Sequence, residues 1–145
     1  MKDGLDVVTD VWAMLNQPSV VALLGAGGQI WKHDKPGGRG LTKTDIVVNS
    51  LGITNSQQQR GVANVNIYVP NLLVTQDDGT KQQVPNVTKL NTICKAITPL
   101  LDTRWMPTFH TDIEDPGTLL QDTDGSWFIS IQLNYYSIQN NYQNI

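Results

Sequence analysis

The stretch GVANVNIYVPN, residues 61–71, alternates without a break. Ala63, Val65, Ile67 and Val69 fall on one side, and Asn64, Asn66 and Tyr68 on the other. A helix would scatter these residues around its circumference. A half-buried strand sorts them into one apolar and one polar face. Pro70 ends the strand, because proline cannot donate to a sheet ladder.

Other strands gather around this one. QIWKHDKP (29–36) is a short strand candidate, and the β-branched run TDIVVNSLGI (44–53) is a second. TFHTDIE (108–114) reads as a further strand. GTLLQ and SWFISIQLNYYSI flank DTDG (122–125), and Asp-Gly is the strongest short hairpin signal. In the second arm Trp127, Ile129, Ile131, Leu133 and Tyr135 share a face.

Two stretches carry the helical period instead. Leu5, Val8, Trp12 and Leu15, widened by Val7 and Val11, form an amphipathic helix ending near Gln17-Pro18. SVVALL (19–24) is a short apolar piece feeding a glycine cluster. Pro85 suits a first helical position, and Val87, Leu90, Cys94, Ile97 and Leu101 make one stripe. Pro99 is expected to kink or end that helix near Ile97. PGGRGLTK (36–43), TNSQQQRG (54–61) and TQDDGTKQQ (75–83) read as loops or turns.

The fold class is therefore α+β. A mostly antiparallel sheet of about five to six strands carries two main helices on one face. Antiparallel neighbours follow from loops too short for helical crossovers. At 145 residues the chain fits one domain, residues 1–145, with long loops at 35–43 and 54–60 and a polar tail at 139–145.

Composition narrows the function. Charged residues are 16% of the chain, against about a quarter in ordinary domains. Asn and Gln supply much of the polar surface. A net charge of −3 argues against sequence-independent nucleic-acid binding. One cysteine, Cys94, allows no intrachain disulfide, and it sits on the apolar helix stripe as a small core residue. The aspartates near the N-terminus do not suit a signal peptide, and no run reaches the roughly 20 apolar residues of a bilayer span. The expectation is a soluble chain with no membrane partner.

No motif assembles catalytic chemistry. Gly25-Ala26-Gly27-Gly28 matches only the first two glycines of a dinucleotide loop, with Ile30 at the third place and no helix following. These glycines instead end a helix and turn the chain into a strand. DTDG resembles the start of a calcium loop, but Leu133 falls where the bidentate acid belongs. His110, Asp112 and Glu114 share a strand face. They define the alternative reading, a small enzyme or ligand-binding domain. Alternate side chains on one strand stay nearly 7 Å apart, roughly two rises, so three ligands from one strand rarely converge and the spacing favours a polar outer face. No catalytic residue, metal or cofactor is assigned.

The element order, with the phrases GGQIWKHDKP and VNIYVP, resembles the tail completion (tail terminator) proteins of tailed phages, across residues 4 to 138. That family implies a virion structural protein with no enzymatic activity. It implies a homo-oligomeric ring, usually a homohexamer, that assembles in the bacterial host cytoplasm, caps the tail tube and docks to the head connector. A mobile loop that meets neighbouring proteins would correspond here to residues 35–43. This chain departs from the family in an amide-rich insertion at 54–60 and a polar tail after Tyr136. The contact residues expected are Lys35, Arg39 and Lys43 in the loop, with Gln57, Gln58 and Arg60 as a second patch. Removing residues 36–40 is expected to impair joining while leaving the subunit folded. The exposed-type aromatics Trp31, Trp105, Tyr68 and Tyr136 are candidate interface anchors.

Overall fold

A computed structural model describes residues 1–139. The polar tail expected at 139–145 lies, beyond Gln139, outside the described residues.

The first helix, α1 (Gly4–Leu15), starts at a capping box. The Asp6 N–H donates to the Asp3 carboxylate and the Asp3 N–H donates to the Asp6 carboxylate, each at 2.9 Å. Val7, Val8, Val11, Met14 and Leu15 are buried, Trp12 is partly buried, and Leu5 stays outside the stripe. A second helix, α2 (Pro18–Leu24), starts at its proline and ends at Gly25, whose φ is +73°. Gly28 then lets the chain turn hard against its neighbours. A Cβ there would lie 2.3 Å from the Thr44 carbonyl oxygen.

The strands follow: β1 (Ile30–Lys32), β2 (Asp45–Ile53), β3 (Gln58–Tyr68), β4 (Leu72–Thr75), β5 (Lys81–Val84), then after α3 (Val87–Leu101) the strands β6 (Arg104–Trp105), β7 (His110–Gln121) and β8 (Trp127–Ile138). Six of them form one mixed sheet in the order β1-β2-β3-β8-β7-β6. All pairs are antiparallel except β1 with β2, which is parallel. The loop from His33 to Thr44 supplies the dozen or so residues that a parallel return requires. The helices gather on one face, where one core joins α1, α2 and α3 to Ile46, Val48, Ala63, Val65, Ile67, Ile131, Leu133 and Tyr135. The alternation read over residues 61–71 is the register of this core.

Four sequence expectations are corrected. Residues 58–60 are strand, not loop, and Gln59 is buried because its amide pins the N-terminal segment. It accepts from the Lys2 N–H at 2.9 Å and donates to the Lys2 and Thr54 carbonyls. The runs 108–114 and 117–121 are one strand, β7, interrupted by register shifts around Asp115 to Thr118 where Pro116 cannot donate. Helix α3 begins at Val87, with Asn86 rather than Pro85 at its start, and continues through Pro99 to Leu101. Pro99 lies in the last turn, and the Asp102 N–H still closes on the Thr98 carbonyl at 3.0 Å. Finally, the turn at 75–83 is the end of a hairpin, β4–β5, that belongs to no larger sheet. No single helix among the described residues is long and apolar enough to cross a membrane.

Candidate functional site: an arm and a groove at opposite ends of the sheet

The β4–β5 hairpin is an arm. Its turn is closed by Gln76 N–H to Thr80 and Gly79 N–H to Gln76 contacts, with Gly79 at φ +85°. Its register pairs Leu72 with Val84 and Val74 with Gln82, so one face carries Leu72, Val74 and Val84. Leu72, Leu73 and Val74 are all exposed. No other element packs on the arm to more than a marginal extent. Its main tether is the Asn71 amide, which donates to the Gly125 carbonyl in the β7–β8 turn at 3.0 Å. Asp77 and Asp78 stand at the tip. The Thr80 hydroxyl and N–H bonded to Asp78 hold its carboxyl below the usual range, so the tip is anionic.

The far end of the sheet carries a groove of about 970 Å³. Gln58 at the start of β3, Tyr136 to Ile138 at the end of β8, His110 at the start of β7 and the segment Trp105–Phe109 line it. Its wall is a stack of rings. Trp105 lies on His110 with centroids 3.8 Å apart, and His110 on Tyr136 at 5.9 Å. Trp105 remains 79% exposed. Strand β3 runs the eleven residues between the groove and the arm's base, a span of roughly 33 Å at the usual rise. The arm therefore stands far from the groove of its own chain.

The six expected contact residues divide between these ends. Lys35, Arg39 and Lys43 lie at the arm end. Arg39 is built into the fold. Its Nε and Nη2 both reach the Asp45 carboxylate at 3.0 Å, and its guanidinium lies 5.0 Å over the Trp31 ring. Asp45 is fully buried and also accepts from the Gln29 N–H at 2.9 Å. Burial opposes its charge, but the Arg39 guanidinium and the Gln29 N–H prevail and hold its carboxyl below the usual range. Deleting residues 36–40 would therefore strand a buried carboxylate, which argues against the expectation that the subunit stays folded without them. Lys35 lies 4.2 Å over the Tyr68 ring. Burial, with Asp122 nearby, pushes the Tyr68 hydroxyl well above its ordinary value, so this ring stays neutral. The Lys43 ammonium lies against Gly27. At the other end Gln58 lines the groove and Arg60 pairs in register with Tyr136. The Gln57 carbonyl accepts from the Gln139 N–H at 2.8 Å.

The alternative trio is drawn only partly together. His110 Nε2 meets Asp112 Oδ1 at 3.0 Å, while Glu114 is turned to Asn134, which donates to it at 2.9 Å. Among the described residues no group of three or more His, Cys, Asp or Glu side chains could hold a metal ion. Cys94 is buried in the core, and that burial raises its thiol pKa.

The arm escaped the sequence reading although its signal was present. Asp78-Gly79 sits between two short runs, the same cue that located β7–β8. The groove left no such cue, because its walls come from segments that meet only through the pairing of β8 with β3 and β7. No family profile matches the chain, and no match was found among curated proteins.

Proposed function

We propose that this chain is a non-catalytic assembly subunit that forms a homo-oligomeric ring of the phage tail-completion kind, a hexamer in the family's usual form. Its partners would be further copies of itself, the tail tube and the head connector, and its place would be the neck or tail of a virion. The observation that carries the reading is the β4–β5 arm. An isolated two-stranded hairpin is marginal in water. This one leaves Leu72, Leu73 and Val74 exposed, and burying each would contribute about 1.5–3 kcal/mol. Such a face is stable when another surface covers it.

Light scattering over a concentration series tests this. A discrete species of about six subunits, with a central hole in electron micrographs, is the expected result. A monomer at every concentration, alone and with purified tail tubes, would refute it. The rival reading, a ligand-binding domain at His110, Asp112 and Glu114, draws support from the groove beside His110. A thermal-shift screen with metals and nucleotides separates the two. A specific ligand raises the melting point by mass action, and the ring reading expects a flat response.

A further inference from the structure

We propose that the β4–β5 arm of one copy seats in the aromatic groove of the next, so that subunits join head to tail. This deepens the ring reading and rests on it. Three observations lead to this one occupant.

The first is that each feature lacks what the other offers. The arm presents Leu72 and Val74, both exposed, on the face they share with the half-exposed Val84, and no other element packs on it to more than a marginal extent. The groove presents Trp105 and Ile138, which are among the most exposed large apolar side chains of the chain, beside Phe109, which is partly buried against the core with the Lys2 ammonium 5.9 Å over its ring. The second is charge. The arm tip holds Asp77 and Asp78. Arg60 pairs in register with Tyr136 of the groove wall and Arg104 precedes Trp105 in β6; neither is among the residues in ion pairs, which are Lys2–Asp10, Arg39–Asp45 and His110–Asp112 within the described residues. Opposed charges at the rim of an apolar contact set its orientation and speed the encounter. The third is position. Arm and groove lie at opposite ends of β3, so a chain cannot satisfy itself and a second copy can.

Trp105 would be the anchor. It is an exposed ring already held in place by stacking on His110, so little freedom is lost when it is covered.

The test uses two variants of the full chain, W105A with a defective groove and the pair L72S and V74S with a defective arm. All three sites are exposed, and circular dichroism would verify that each variant folds. Each alone should associate roughly thirtyfold or more weakly than wild type, as for loss of a central anchor. Mixed together, they should form one-to-one dimers, because the intact arm of the first meets the intact groove of the second. The charge-reversed arm, D77K with D78K, should likewise fail alone and recover when mixed with R60E and R104E. If the variants assemble as wild type does, or if the complementary mixtures stay monomeric, the arm-to-groove contact is wrong while the ring stands. If wild type itself never associates, both fall.

Discussion

Arg39 offers the sharpest test of how the 35–43 loop is held. The Asp45 carboxylate is at 0% exposure, and replacing Arg39 by Ala leaves it one remaining hydrogen-bond partner, the Gln29 N–H. Removing one member of a buried ion pair costs about 3–5 kcal/mol. The Arg39 side chain is itself 20% exposed, so water can partly enter the vacated space. The low end, about 3 kcal/mol, is the expected loss. For a domain of this size that corresponds to a fall of roughly 10 °C in Tm. The loss has a defined pH dependence. The folded-state pKa of Asp45 is depressed, so its contribution is complete above the unfolded value of about 3.9 and fades as pH falls through the lower folded value. The gap between wild type and R39A is therefore full at neutral pH and narrows in acid. Urea titrations at fixed protein concentration, followed by tryptophan fluorescence, measure it, and Trp31 beneath the guanidinium reports locally. A variant within about 0.5 kcal/mol of wild type, or a gap that ignores pH, would refute the argument.

Three further predictions follow from single contacts. G28A should destabilise the fold by several kcal/mol, on the order of an overpacked core, because backbone at Thr44 cannot yield; wild-type stability by calorimetry would contradict the packing. Q59L should cost about 2 kcal/mol or more, since it orphans the Lys2 N–H and the Lys2 and Thr54 carbonyls, and amide exchange at Lys2 should accelerate. Cys94 should react with a thiol reagent only on unfolding, given its burial and raised pKa, and fast labelling in buffer would show the α3–β7 contact to be open.

Periodicity made the core legible, and it made the exceptions hard to see. Ala63 to Val69 and Ile129 to Tyr135 read as strands because one neighbour layer decides their faces. Gln58 to Arg60 did not, because Gln59 is buried for its hydrogen bonds and not for its apolarity. Leu5 and Val87 fit the helical stripes in the sequence, yet both are exposed, and both fall in the first turn of their helix. The parallel pairing of β1 with β2 depends on where a twelve-residue loop lands, and Arg39 decides that by finding Asp45. The Arg39–Asp45 pair was invisible for the same reason as the groove. Both are made by segments that only the folded sheet brings together.

The arm's exit carries a geometric consequence. A head-to-tail joint has no stop of its own. Each added copy presents the same free end, and growth halts only when the last end meets the first. The turn between successive copies then decides everything, and roughly a sixth of a revolution closes a hexamer. Under the proposed arm-to-groove contact, that turn would be set where the arm leaves the body, by the fixed φ of Pro70 and the Asn71–Gly125 hydrogen bond. A loosened exit would make spirals and broken arcs from subunits whose every contact is intact. Under the proposed joint, the number of subunits would depend on Pro70 and Asn71, which hold the arm to its own chain.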